Sequence, residues 1–379
     1  MKISSQFDSG SIDVLSIDPA GQARLQLRKD VVSDTAVDIR QWFHFRLQGA
    51  RGKAVELCIE NASRATFPGG WPGYRACASY DRSSWFRVPT TYVDGQLTIS
   101  HTPQRDSIYY AYFEPYSWER HLQLLGRADA SKLARVIDLG STPEGRDMNV
   151  VEIASRQTGA SNHCWIIARQ HPGETMAEWL VEGLIDRLLD ENDTVSTRLL
   201  AETTFHIVPN MNPDGSVHGN LRVNTTGANL NREWMTPSME RSPEVLCVRA
   251  AMERTGCDFF LDVHGDETIP HVFVAGCEML PTITPQQNAA QDRYVQALLA
   301  SATDFQTARG YTANRYSSDA LKLASKWAGH RFGCVSLTLE LPFKDHNDRP
   351  DAVAGWSAAR SMQLGRDVLA ALAATRPQK

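Results

Sequence analysis

His171 and Glu174 stand on either side of Pro172-Gly173, and an imidazole and a carboxylate are two of the donors that a hydrolytic zinc site uses. The pair follows the apolar run His163–Ala168 and precedes a strongly amphipathic stretch that begins at Thr175. It therefore lies on the corner between a buried strand and a helix start, held out of the helix by the Pro-Gly turn. Open α/β sheets bind ligands at such corners. Spacing alone does not single the pair out. A His-x-x-Glu is expected about once by chance in a chain of this composition, and a second occurs at His264 and Glu267. The order of the chain separates the two. The run Asp258–Val263 delivers His264 well after the first pair, matching the short-spacer, long-spacer pattern of catalytic zinc sites. His171, Glu174 and His264 then form a donor set with room for one water. No later strand-end histidine completes the second pair, which leaves Glu267 as a bystander.

Two further stretches carry chemistry. In Val335–Leu341 the apolar residues Val335, Leu337, Leu339 and Leu341 alternate with Ser336, Thr338 and Glu340. A carboxylate that deep in a strand needs compensation. Either a neighbouring Arg or Lys pairs with Glu340, or it serves as a general base that carries a proton from the attacking water to the leaving group. The segment Asn220–Trp234 contains Arg222, Arg232 and several asparagines but little apolar content. It reads as a solvated surface loop or as a grip for an anionic ligand, since arginine offers a rigid fork of donors to a carboxylate.

These groups need a scaffold that brings strand ends together. From about residue 126 onward, short apolar runs alternate with helical stretches, the rhythm of a mixed, mostly parallel α/β sheet with helices on both faces. Strands are expected at 135–139, 148–153, 163–168, 203–208, 258–263, 271–275 and 335–341, and helices at 175–190, 287–302 and 355–374. In the helix from Thr175, Met176, Leu180, Leu184 and Leu188 fall on one stripe. Glu178, Glu182, Asp186 and Asp190 fall on the other, expected to be solvated. Before about residue 125 the pattern has period two, as in Phe43, Phe45 and Leu47 or Val55, Leu57 and Ile59. That predicts an all-β antiparallel sandwich or barrel, closed by a short helix around Tyr116–Leu125. Two domains follow, 1–125 and 126–379, as the 379-residue length already suggests.

Composition narrows the function. A net charge of −5 provides no general basic surface for nucleic acid or an anionic membrane. No apolar run is long enough to span a bilayer, and the first residues lack an apolar signal core. Seven cysteines without a Cys-x-x-Cys read as reduced thiols and exclude a tetra-cysteine zinc site. A cytoplasmic location is expected.

In order, His171-Pro-Gly-Glu174, Asn212-Pro-Asp-Gly215, Asn229-Leu-Asn-Arg232, Asp262-Val-His264-Gly and Thr338-Leu-Glu340 resemble the signatures of zinc carboxypeptidases of peptidase family M14. The resemblance is to the cytosolic carboxypeptidase-like subfamily with its bacterial members. Gln41–Arg46, Tyr80–Arg87 and Tyr112–Arg120 resemble that subfamily's N-terminal β-sandwich. The resemblance implies one Zn²⁺ held by His171, Glu174 and His264, with Glu340 as general base and Arg222 stabilising the oxyanion. Asn231 and Arg232 would grip the free C-terminal carboxylate of a peptide or protein tail, and Tyr316 would close over substrate. Many relatives have Asp where this chain has Asn229, beside a zinc-bound histidine; an amide can accept the imidazole N–H but carries no charge. Relatives remove acidic C-terminal residues, often glutamate, and Lys322 and Lys326 lie in the matching stretch, although at i,i+4 they also suit a solvated helix face. The alternatives are a zinc amidohydrolase acting on acylated amino acids or γ-glutamyl cell-wall peptides, and an inactive peptide-binding module.

Overall fold

Seven strands of the second domain form one mixed sheet in the order Ala134–Ser141, Asp147–Ile153, Thr203–Val208, Asn162–Ala168, Phe259–Asp266, Val335–Pro342 and Phe273–Ala275. The central four strands run parallel, and the outer strands on each side pair antiparallel. The computed structural model describes residues 1–32, 38–155, 161–312 and 318–375. Both faces of the sheet are covered. Cys164 and Ile166 join an apolar cluster with the helices Thr175–Leu188 and Ala358–Ala374, while Trp165 and Ile167 join another with Pro243–Thr255 and Ala324–Phe332. Alternate side chains of one strand thus feed opposite faces, as a strand sandwiched between helix layers requires.

Register fixes where chemistry can meet. Ala168 pairs with Val263, and His264 lies directly beside Glu340 on the next parallel strand. The ends of three parallel strands therefore open onto one edge.

The N-terminal domain consists of two five-stranded sheets. All pairings in them are antiparallel except that of Gln22–Gln26 with Val55–Ile59, which is parallel. Phe43, Phe45, Leu47, Leu57 and Ile59 are fully buried between the sheets. The helix Trp118–Asp129 follows, capped by the Ser117 side chain, which accepts from the Arg120 N–H. The two domains share a continuous apolar cluster. Tyr112 stacks on Phe343 with ring centroids 4.6 Å apart, and Arg87 donates to the carbonyls of Phe343, Ala354 and Trp356. Gly70 comes so close to Glu267 that a Cβ would stand 2.7 Å from its carbonyl oxygen.

Two sequence expectations are corrected by packing. The acidic face of the helix Thr175–Leu188 is solvated only at its far end: Glu178 is 0 % and Glu182 2 % exposed, whereas Asp186 is part-buried and Asp190 exposed as expected. Glu178 pairs with Arg169 at 2.6 Å and His121 at 2.7 Å, and Glu182 with Arg120 and Arg127, each at 2.8 Å. The helix Trp118–Asp129 supplies most of those cations, so burial costs no unpaired charge. Nor is Asn220–Trp234 a solvated loop. Asn220, Leu221, Val223, Asn224 and Leu230 are buried; the N–H groups of residues 221–223 donate to Asp30 of the N-terminal domain and that of Asn224 to the Ala228 carbonyl.

Candidate metal centre and active-site cleft

Sharp backbone geometry sets the first corner. Arg169, the residue after the strand Asn162–Ala168, is 1 % exposed and has a left-handed φ of 61°, which costs a non-glycine residue about 1–3 kcal/mol unless its surroundings hold it. They do: its guanidinium donates to Pro172 O, Tyr116 O and Glu178. The chain then turns through Pro172-Gly173, and the helix starts at Thr175 with Glu174 as its N-cap residue.

Glu174 lies between two imidazoles. Its Oε1 is 2.7 Å from His171 Nδ1 and its Oε2 is 2.7 Å from His264 Nδ1; Oε2 also accepts from the Gly265 N–H at 3.0 Å. The three donor atoms all lie within 4.8 Å of one another, and the three residues are buried. The outward nitrogens are engaged too. His171 Nε2 lies 3.0 Å from Asn229 Oδ1, and His264 Nε2 lies 2.9 Å from Asp262 Oδ2. Each outer oxygen can accept an Nε2 proton, so that on arrival of a cation the Nδ1 proton facing Glu174 is the one each ring would give up. The resulting tautomer pattern is what metal-ligating histidines adopt, so the residues fit a metal ion.

The electrostatics agree. Burial and the nearby charge of Arg222 lower the pKa of His171 to about 4, so it is neutral. Burial alone would raise Glu174, but the two imidazoles outweigh it and hold the carboxyl well below its usual range. His264 goes the other way. Burial would lower it, yet the carboxylates of Asp262 and Glu174 on either side raise it well above an ordinary histidine. Glu174 is therefore ionised between the two imidazoles, a carboxylate that a cation would meet.

Glu340 is 5 % exposed and pushed up to about 8, chiefly by burial, against the pull of His264. Among the described residues no Arg or Lys pairs with it. The Tyr311 hydroxyl lies 3.0 Å from Glu340 Oε1 and 2.9 Å from Asp266 Oδ2, while Glu340 Oε2 has no hydrogen-bond partner. Raised to about 8, Glu340 keeps a proton at neutral pH while no cation is beside it; a cation at the donor cluster would favour its ionised form, with Oε2 bare to accept a proton.

The cleft around these groups is lined also by Arg222, Asn231, Arg232, Glu267, Lys322 and Lys326. Arg222 sits over the Phe67 ring at 5.1 Å, so a side chain of the N-terminal domain forms part of the wall. Asn231 Nδ2 lies 3.2 Å from His264 Nε2, and Asn231 Oδ1 accepts from the Ala324 N–H. Arg232 donates to the Asn231 carbonyl, and its pKa is lowered by partial desolvation and by the charge of Arg222. Lys322 and Lys326 do not share one helix. Lys322 ends a 3₁₀ turn, and extended Leu323 separates it from the helix Ala324–Phe332. Lys322 pairs with Asp319 at 3.0 Å. Glu267 stands outside the three-donor group but inside the cleft, 5 % exposed, with Oε1 unpartnered. Tyr316 lies outside the described residues.

Asp262, Gln170, Tyr311 and Asp30 are contributors that the sequence reading passed over. Asp262 had a legible signal, because residues i and i+2 of a strand share a face. Gln170 donates to Asp262 and accepts from Trp234 Nε1, a long-range link without a local signature. Asp30 is more distant still. Its carboxylate accepts the backbone N–H groups of Leu221 at 2.7 Å, Arg222 at 2.8 Å and Val223 at 3.1 Å. Burial pushes its pKa up to about 6, opposed by those three N–H groups and by Arg222. Asp30→Ala is expected to let the Arg222 segment drift and to lower kcat/KM about 10- to 100-fold with metal content unchanged. Steady-state kinetics alongside elemental analysis checks this; an unaltered kcat/KM would remove the role.

Comparison with known proteins extends these observations. Residues 3–113 match the cytosolic carboxypeptidase N-terminal domain and residues 119–353 the zinc carboxypeptidase family. A metallo-carboxypeptidase from Burkholderia cenocepacia superposes with a TM-score of 0.96 at 54% identity, covering 99% of this chain and 98% of its own. A metallo-carboxypeptidase from Pseudomonas aeruginosa, in complex with (2-guanidinoethylmercapto)succinic acid, superposes with a TM-score of 0.94 at 43% identity, covering 99% of this chain and all (100%) of its own. Human cytosolic carboxypeptidase 1 is 27% identical over 75% of this chain, which spans only 27% of that longer protein. Among the described residues no helix is long and apolar enough to cross a membrane.

Proposed function

Because the chain belongs to the zinc carboxypeptidase family and is thereby a metallocarboxypeptidase, we propose that it holds one zinc ion through His171, Glu174 and His264 and releases the C-terminal residue of peptides or protein tails. The observation that carries this reading is the meeting of three buried donor atoms within 4.8 Å, with the Glu340 strand directly beside His264.

Zinc, when bound, supplies Lewis-acid polarisation of the scissile carbonyl and makes the attacking water more acidic. The remaining work falls to the chain. Glu340 takes the water proton on its bare Oε2 and passes it to the leaving amine nitrogen, breaking the C–N bond. Arg222, a fixed positive charge in a water-poor cleft, faces the carbonyl oxygen as negative charge develops there. Arg232 and Asn231 hold the free C-terminal carboxylate, which restricts the reaction to the last peptide bond. Asn229 and Asp262 orient the two imidazoles. Asn229→Asp adds charge behind His171 and is expected to tighten zinc about tenfold, whereas Asn229→Ala loosens it about 10- to 100-fold. Competition with a chromophoric chelator reads both; equal affinity in all three forms would end the assignment.

The preferred C-terminal residue is acidic, such as glutamate, because Lys322 and Lys326 add positive charge to the cleft that Arg232 lines. The ligand of the Pseudomonas aeruginosa relative carries both a succinic acid and a guanidinium; its carboxylates suit the grip by Arg232 and Asn231, while the side-chain preference rests on Lys322 and Lys326. Matched peptides ending in Glu, Leu or Lys test the reading, with release followed by mass spectrometry on the zinc-loaded protein. Fastest release of Glu is expected. Preference for Leu or Lys would overturn the acidic pocket, and faster turnover of acylated amino acids or γ-glutamyl amides would place the chain among amidohydrolases.

A further inference from the structure

Outside the cleft, the described residues contain one other group of three side chains able to ligate a metal: His271, His346 and Asp348. His271 lies two residues before the strand Phe273–Ala275, and the other two lie in the loop after Val335–Pro342. The Asn347 N–H donates to the Pro270 carbonyl at 3.1 Å and clamps the two segments together. The imidazole rings stand 5.2 Å apart at 85°.

Two features distinguish this group from ordinary surface histidines. Both imidazoles are 2 % exposed, and the Nδ1 atom of each is buried without a hydrogen-bond partner, a costly state for a polar atom. His346 is also pre-set for ligation. Its Nε2 lies 2.9 Å from the Asp304 backbone carbonyl, which can only accept, so the proton is on Nε2 and Nδ1 presents a lone pair. His271 Nδ1 lies 3.3 Å from Asp348 Oδ2. Tetrahedral zinc with ligand bonds of about 2.0–2.1 Å sets its donors about 3.3 Å apart, so only small side-chain shifts are needed. Asp348 is half-exposed, which gives solvent a route in.

A cation already occupies part of this space. Arg309 Nη1 lies 2.9 and 3.0 Å from the two Asp348 oxygens and 3.1 Å from His271 Nε2. An arginine cannot accept, so in this arrangement His271 Nε2 is the acceptor and Nδ1 carries the proton. Ligation through Nδ1 requires that proton to move to Nε2, and the guanidinium must then leave. Arg309 and a metal ion are alternative occupants.

We propose that His271, His346 and Asp348 form a second, solvent-reachable site for a divalent transition metal, in exchange with the guanidinium of Arg309. Two imidazoles and one carboxylate select zinc-like ions over magnesium or calcium, which prefer all-oxygen sets.

The test is metal stoichiometry at buffered free zinc, on the full chain stripped with chelator and re-equilibrated. Wild type is expected to bind two zinc ions per chain, with the second filling below about 10 µM free zinc. His346→Ala should bind one and keep its peptidase activity, while His264→Ala should keep the second ion although its cleft is damaged. Arg309→Gln, which removes the competing cation, should fill the second site at about tenfold lower free zinc. If His346→Ala does not fold, Asp348→Asn on the open rim replaces it. A single ion in wild type over that range, or a second ion that persists in both His346→Ala and Asp348→Asn, would overturn the proposal.

Discussion

Glu340→Gln is expected to lower kcat about 10²- to 10⁴-fold, or about 2.7–5.4 kcal/mol in activation free energy, while zinc content and peptide affinity stay within a few-fold of wild type. The amide preserves the shape of a side chain that is only 5 % exposed. It can still meet the Tyr311 hydroxyl, which lies 3.0 Å from Oε1. It cannot take a proton at the Oε2 position, which has no partner. Binding and chemistry should therefore separate: KM nearly unchanged, kcat lost. Steady-state kinetics combined with elemental analysis measures the split. A variant that keeps more than about a tenth of wild-type kcat would show that another group moves the proton, with Asp266 the next candidate because it shares the Tyr311 hydroxyl.

His264→Ala carries the second large effect, and it acts on two quantities. If the zinc-binding free energy of about 10–16 kcal/mol seen for four-ligand sites is shared among the donors, each supplies about 2.5–4 kcal/mol, so affinity should fall roughly 10²- to 10³-fold. The metal-free protein should also lose stability. Asp262 Oδ2 at 2.9 Å and Glu174 Oε2 at 2.7 Å both face the imidazole, and its removal leaves two buried carboxylates short of a positive partner. Breaking a buried charge pair in this way costs about 3–5 kcal/mol. Chelator competition reads the first effect and urea unfolding of the metal-free chain the second. Wild-type zinc affinity in the variant would refute the ligand assignment. Loss of affinity with unchanged metal-free stability would instead show that Gln170, which donates to Asp262 at 2.8 Å, and the Gly265 N–H, which donates to Glu174 at 3.0 Å, suffice for the charges.

The N-terminal domain takes part in the cleft as well as in the fold. Phe67 lies under Arg222, and Asp30 holds the amides of residues 221–223. A substitution far upstream in the chain can therefore change catalysis without touching any of the proposed metal ligands.

What the sequence by itself determined is local and periodic. Alternating apolar residues marked the strands, the Pro172-Gly173 turn marked the corner, and the order of five short motifs indicated the family. Each depends on neighbours a few residues apart, where backbone sterics and side-chain period decide the outcome. His264 beside Glu340 was inferable once both were placed at ends of parallel strands. Packing decided the rest. Glu178 and Glu182 on the helix Thr175–Leu188 look solvated in isolation, and are buried only because Arg120, His121 and Arg127 from a separate helix, together with Arg169, meet them. The tyrosine beside Glu340 in the described cleft is Tyr311, whose single hydroxyl is shared by two carboxylates. Asp30 reaches Leu221 across 191 positions. No local rule anticipates such a bond, because whether a buried carboxylate is stable depends on which amides the folded chain brings to it.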